Sequence, residues 1–120
     1  MKAILHELNE TIASRGAIIV APDGMLIAAD VREGIDLDRL SALGAAILNE
    51  IGKSLAKAGL HEFSQIEITT EQGKLILVEA GPTYLLVLLG ARLEIGPGSI
   101  EIRSAANRIV KVTEFAASEG

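Results

Sequence analysis

The spacing of apolar residues divides the chain into helices and strands in a definite order. Apolar residues three and four positions apart predict a first helix that ends before Gly16, a second over residues 36–58 closed by Gly59, and a last one beginning at Ser99. Compact aliphatic runs predict five strands, at residues 17–21, 25–29, 65–69, 74–80 and 84–89. The predicted order is helix, two strands, helix, three strands, helix, with residues 116–120 expected to fray.

Short turns and strand composition predict how these strands assemble. The turns at residues 22–24, 71–74 and 81–83 are short enough for antiparallel pairs. The third strand alternates polar and apolar residues, whereas the fourth and fifth are nearly continuous apolar runs that suit strands covered on both faces. We therefore expect a three-layer α/β sandwich with a five-stranded antiparallel sheet, formed by residues 1–120 as a single domain.

The predicted central helix has apolar or small residues around about two-thirds of its circumference, more than one sheet contact needs. We expect one stripe to pack on the chain's own sheet: Leu40, Leu43, Gly44, Ile47, Ile51 and Leu55. A neighbouring stripe of mostly small residues is expected to face a second copy: Ser41, Ala45, Leu48, Gly52 and Ala56. The alternative is that small residues are merely tolerated on an exposed helix. Gly52 argues against it, because a glycine inside a helix costs about 0.5–1 kcal/mol relative to alanine.

The half-polar third strand is the expected edge of the sheet. It contains neither proline nor lysine to discourage pairing with another strand. We expect it to pair with the same strand of a second copy through five residues: Gln65, Ile66, Glu67, Ile68 and Thr69. A strand edge that lacks proline and lysine, next to a helix with more apolar surface than its own sheet covers, predicts a symmetric homodimer.

Composition and charge exclude several classes of function. Hydrophobic residues make up 49% of the 120 positions and charged ones 22%, which is typical of a globular protein. A net charge of −5 and an aromatic content of 2% argue against nucleic-acid binding. The absence of cysteine excludes disulfides and thiolate metal sites. Neither a membrane span nor a signal peptide is recognisable, so we expect a cytoplasmic protein.

No pattern of reactive residues indicates catalysis, a metal or a cofactor. His6 and His61 lack ligand partners at helical spacing, and no serine lies in a nucleophile elbow. The glycine-rich residues 96–99 lack the lysine of a phosphate-binding loop. Asp36 and Asp38 are better explained as helix-capping residues than as paired catalytic carboxylates. We therefore expect a protein that is not an enzyme.

Several local patterns, taken in order, carry a resemblance to one family. They are residues 16–20 followed by Asp23-Gly24, the Ala- and Leu-rich central helix, the hairpin at residues 75–89, and residues 91–96 ahead of a helix containing Ala105-Ala106. Together they resemble the Roadblock/LC7 family, whose fold is a profilin-like sandwich. The resemblance implies a homodimer with one ten-stranded sheet and with its two central helices side by side. It also implies a non-catalytic adaptor or regulator of a small Ras-like GTPase.

The water-facing arc of the central helix is the expected GTPase-binding surface under this resemblance: Arg39, Asn49, Glu50 and Lys53. The same residues equally suit an ordinary solvated face. Two other functions stay open: a small-molecule sensor domain of the PAS/GAF or profilin-like type, and a structural scaffold similar to a motor-complex light chain. The sensor is disfavoured because such domains line a pocket with aromatics, and this chain has three.

Overall fold

The computed structural model describes residues 1–60, 63–91 and 99–119, with side chains up to residue 114. Helices and strands follow in the predicted order: α1 Lys2–Ile12, β1 Gly16–Val20, β2 Leu26–Val31, α2 Leu37–Lys57, β3 Gln65–Thr70, β4 Gly73–Ala80, β5 Thr83–Gly90 and α3 Ser99–Glu119. His61 and the glycine- and proline-containing segment at residues 92–98 lie outside the described residues.

The five strands form one antiparallel sheet in the order β2-β1-β5-β4-β3. Helices α1 and α3 pack against each other and cover one face of the sheet, while α2 lies on the other. The expected three-layer sandwich is confirmed, and so is the position of β3 at an edge. The second edge is β2.

Alternate residues of the central strands pack into two separate hydrophobic cores, one on each face of the sheet. On β1, Ile19 points toward α1 and α3, and Ile18 points toward α2. Both side chains are fully buried, as are Leu85 and Leu86 on β5. Burial on both faces explains why these strands contain continuous aliphatic runs.

The ends of the helices were predictable where a side chain or a glycine sets them. Asp36 caps α2, since its carboxylate accepts from the Arg39 amide at 3.1 Å. Gly59 has a φ of 85°, and the Leu60 amide donates to the Leu55 carbonyl at 2.8 Å, which closes α2 as predicted.

Helix α1 ends before Gly16, as predicted, although no glycine closes it. The left-handed residue that ends α1 is Ala13, with a φ of 54°, rather than Gly16. Gly16 belongs to β1, where a Cβ would lie 2.6 Å from Val31 Cγ1, so its role is close strand packing. The last helix, α3, continues to Glu119.

Candidate interaction surfaces

The side of α2 that faces the sheet is formed by Gly44, as expected, and by three residues that the sequence pattern assigns to a second copy. Ser41, Ala45 and Leu48 are buried within one chain, and Leu48 is only 1% exposed. Leu43, assigned to the core, is 53% exposed. The assignment of the two stripes is therefore wrong for these residues, because a side chain already buried in one chain has no surface left for a partner.

Close packing of α2 on the sheet explains its orientation. Gly44 lies against β5, where a Cβ would overlap Leu86 Cδ2, so glycine lets the helix approach closely. The buried hydroxyl of Ser41 donates to the Leu37 carbonyl oxygen at 2.7 Å and needs no other partner. Small residues here bring the helix onto its own sheet. Of the stripe assigned to a partner, only the half-buried Gly52 and the exposed Ala56 remain accessible.

One flank of α2 contacts the turn between β1 and β2. A Cβ at Gly24 would lie 3.6 Å from Ala45 Cβ, and Asn49 Nδ2 donates to the Pro22 carbonyl oxygen at 2.9 Å. The opposite flank therefore faces away from this hairpin. It carries four large aliphatic residues, of which three are half-buried and Leu43 is exposed: Leu40, Leu43, Ile47 and Ile51.

The sheet beside this flank is only partly covered by the chain. Ile66 and Ile68 of β3 and Leu75 of β4 are half-buried, and they pack against the core on the α2 side. Together with the helix flank they form a surface that we call the α2–β3 apolar surface: Leu40, Leu43, Ile47, Ile51, Ile66, Ile68 and Leu75. It extends to the open edge of β3. An apolar surface next to a free strand edge is typical of an interaction site.

The two edges of the sheet differ in regularity. Strand β3 pairs with β4 in unbroken register from Gln65 opposite Val78 to Thr70 opposite Gly73. Strand β2 pairs with β1 through a register shift that leaves Ile27 unmatched. Such a bulge bends an edge and discourages further pairing. Among the two edges, β3 is therefore the better template for a strand of another molecule.

Residues of β3 alternate between the two faces of the sheet. Ile66 and Ile68 lie on the α2 side, so Gln65, Glu67 and Thr69 lie on the α3 side. Glu67 forms an ion pair with Lys74 of β4, with 3.6 Å between the carboxylate and the amine. All five residues that the sequence assigns to strand pairing therefore belong to the edge strand, with its apolar half turned toward α2.

The four residues assigned to a GTPase are spread along the solvent side of α2. Arg39 is paired with Asp36 at 3.3 Å near the start of the helix. Glu50 is exposed, as are Asn49 and Lys53, which both line a cavity of about 460 Å³. The structure thus brings two of the four together and leaves Arg39 at the other end of the helix.

The same cavity contains residues for which the sequence offers no signal. Phe63, Glu79 and Tyr84 come from different strands or their ends and meet Gly52 only in the folded chain. Glu79 and Tyr84 are directly opposite each other in the β4–β5 pair. Pairing of the last two strands predicts that contact, whereas the position of Phe63 depends on how α2 lies across the sheet.

A polar cluster joins the end of α1 to β2. Asn9 Nδ2 donates to the Asp30 carbonyl oxygen at 2.6 Å and to its carboxylate at 2.9 Å, and His6 Nδ1 lies 3.2 Å from the same carboxylate. The hydrogen bond from Asn9 is the main cause that lowers the pKa of Asp30, with smaller contributions from His6. The buried Ser14 hydroxyl completes the network by donating to Asn9 Oδ1. These hydrogen bonds hold β2, the second edge strand, against α1.

Neither a metal site nor a membrane span is found in the part of the chain that the structure describes. Its histidine, aspartate and glutamate side chains form no group of three placed to hold a metal ion. Its helices include none that combines the length and apolarity needed to cross a bilayer.

The chain matches known proteins over most of its length. The model of the Roadblock/LC7 domain matches residues 2–89. A curated relative, the uncharacterized protein MJ0310 of Methanocaldococcus jannaschii, is 31% identical over 106 residues, which cover 88% of this chain and 93% of the relative.

Solved structures share the architecture at lower identity. MglB of Myxococcus xanthus superposes with a TM-score of 0.89 at 22% identity, covering 94% of both chains. A Roadblock/LC7 domain from Streptomyces avermitilis superposes with a TM-score of 0.83 at 17% identity, covering 95% of this chain and 98% of the other. Both similarities agree with the sandwich described above. By the domain match over most of its length, this chain belongs to the Roadblock/LC7 domain family.

Proposed function

We propose that the protein is a non-catalytic adaptor or regulator that works as a homodimer and binds a small Ras-like GTPase. The single observation that carries the proposal is the α2–β3 apolar surface next to the regular, open edge of β3. Family membership supports the proposal, because the resemblance to Roadblock/LC7 domains implies an adaptor or regulator of a small Ras-like GTPase. The proposed dimer adds β3 of one copy to β3 of the other.

The geometry of the surface suits a two-fold arrangement. An antiparallel β3–β3 pair brings the half-covered sheet faces of two copies side by side, and the aliphatic flank of each α2 then covers the other. Four aliphatic residues per helix contribute apolar contact to the proposed dimer. Large side chains, rather than the small ones, form the contact between helices.

The GTPase is proposed to bind the solvent side of α2. Arg39, Glu50 and Lys53 are exposed there, and they lie outside the α2–β3 apolar surface. A dimer therefore leaves this side free for a third molecule. A mixture of positive and negative side chains around a contact favours specificity and fast association.

Binding to a GTPase is tested by mixing the purified protein with the small Ras-like GTPase encoded nearest its gene. The expected result is a complex in gel filtration whose stability depends on whether GDP or a GTP analogue is bound. A variant carrying Glu50→Lys and Lys53→Glu should bind more weakly, whereas Glu33→Gln in the loop before α2 serves as a control. Absence of binding in both nucleotide states, with no change in hydrolysis rate, would contradict the proposal.

A further inference from the structure

The cavity at the C-terminal half of α2 has the size and lining of a side-chain pocket. Its volume of about 460 Å³ falls within the range of about 300–1,000 Å³ that is usual for ligand pockets. Helix α2 contributes Leu48 and Gly52 to the lining, while Phe63 and Tyr84 contribute two aromatic rings. Two of the three aromatic residues of the chain thus line one cavity.

Packing within one chain does not require glycine at position 52. A Cβ at this position would have a single neighbour, Phe63 Cε1 at 3.9 Å, which is an ordinary contact. Gly44, by contrast, is required because a Cβ there would overlap Leu86. A glycine within a helix is less favourable than alanine by about 1 kcal/mol. The open space above Gly52 therefore suits a group that comes from outside the chain.

The charges around the cavity favour a neutral occupant. Lys53 and Glu79 line it with opposite charges, and Arg103 lines a neighbouring cavity that also includes Glu79. Within the described residues, no ion pair shorter than 4.0 Å involves these three side chains. The lining of the cavity beside Gly52 thus carries one positive and one negative side chain, with no excess of either charge. Apolar and polar side chains share the lining, and such a mixture suits an aromatic anchor that has an apolar body and a polar edge.

We propose that this cavity receives an aromatic side chain of a partner protein, stacked against Phe63 and Tyr84 above Gly52. The partner is the GTPase of the proposed function, on which this inference rests, because Asn49 and Lys53 belong to both the cavity and the proposed GTPase-binding surface. On α2, the cavity is lined by Leu48, Asn49, Gly52 and Lys53, and by none of the four residues of the aliphatic flank.

The chemical preference of the cavity is tested without any protein partner. N-acetyl-L-tryptophanamide is titrated into the isotope-labelled protein, and amide shifts at Gly52, Phe63 and Tyr84 are followed by NMR. Saturable shifts are expected at these residues, with binding about fivefold weaker for N-acetyl-L-leucinamide and N-acetyl-L-argininamide. No saturable shift with the tryptophan probe, or tighter binding of either other probe, would overturn the proposal.

Matched variants link the shifts to the cavity. Gly52→Leu should fill the space and weaken binding of the tryptophan probe about tenfold or more. Ala46→Leu adds the same side chain at an exposed position of α2 outside the cavity lining and should leave binding unchanged. Melting curves establish that both variants fold, and Gly52→Ala, which meets no clash, replaces Gly52→Leu if the larger side chain prevents folding. Equal probe binding by the cavity-filling variant and the control would contradict the proposal.

Measuring GTPase binding by the wild type and by the Gly52 variant tests this inference and the proposed function separately. If the wild-type protein binds the GTPase and the cavity-filling variant at Gly52 binds at least about tenfold more weakly, both stand. If the variant binds as tightly as the wild type, the cavity is not the anchor site and the inference fails while the function stands. If the wild type binds no GTPase, the proposed function fails, and so does the identity of the partner named here.

Discussion

At the scale of single residues, the two glycines inside α2 have different physical causes. Gly44 and Gly52 are both helix-interior glycines, and the sequence pattern places Gly44 in the stripe expected on the sheet and Gly52 in the stripe expected to face a second copy. In the fold, one is enclosed by Leu86 and the other opens onto a cavity. The difference depends on the distance between helix and sheet, which residues far along the chain determine.

Alanine substitution at the two positions should therefore give opposite results. Gly52→Ala is expected to stabilise the protein by up to about 1 kcal/mol through helix propensity. Gly44→Ala has the same gain but adds overpacking against Leu86, which typically costs about 1–3 kcal/mol. Urea unfolding measures the difference between the variants, and equal stability of the two would show that the helix does not lie as close to β5 as described.

The carboxylate of Asp30 supplies a second prediction at this scale. Its pKa is lowered from the usual 3.8, first by the hydrogen bond from Asn9, so the folded state favours the charged form. Its contribution to stability is present above that usual value and is lost as the pH falls through the lower pKa of the folded state.

Thermal melting across a pH series tests this contribution. The wild type should be more stable than Asp30→Asn at neutral pH, and the gap should narrow below about pH 4. Glu33→Gln removes a carboxylate from the exposed loop before α2 and should produce no comparable gap. A difference that stays constant down to pH 2 would show that the charge of Asp30 is not the cause.

At the scale of elements, local patterns determined most of the fold. The alternation in residues 65–69 identified β3 as a half-exposed edge, and continuous aliphatic runs identified β4 and β5 as interior strands. The rotation of α2 about its axis was not predictable, because both of its apolar stripes contain leucine, and each contains a glycine. Only contact with Leu86 on one side and with the Pro22 turn on another fixes which stripe faces inward.

Two arginine substitutions on neighbouring faces of α2 distinguish the corrected orientation from the expected one. Leu43 is 53% exposed in one chain, so Leu43→Arg should keep the chain folded yet oppose dimerisation by placing a charge in the helix contact. Leu48 is 1% exposed, so Leu48→Arg should unfold the chain by burying an unpaired charge.

Circular dichroism measures whether each variant folds, and analytical ultracentrifugation measures whether it dimerises. The expected pattern is a folded monomer for Leu43→Arg and loss of cooperative melting for Leu48→Arg. Ala46→Arg, on the exposed arc of the same helix, should remain folded and dimeric. A folded Leu48→Arg monomer together with a dimeric Leu43→Arg would restore the opposite orientation of the helix.

At the scale of the whole molecule, helix α2 contributes residues to three different surfaces. Its small-residue face packs on the sheet, its aliphatic flank continues into the open β3 side, and its solvent side ends at the cavity beside Gly52. The sequence predicted that the helix has more apolar surface than one sheet requires, and this surplus remains after the faces are reassigned. The proposed homodimer uses the aliphatic flank and leaves the solvent side free for the proposed partner.

The molar mass of the wild-type protein in solution tests this arrangement most directly. Light scattering coupled to gel filtration should give twice the 12.6 kDa of one chain across the micromolar range. A mass of one chain at every concentration would contradict the central claim that the α2–β3 apolar surface joins two copies.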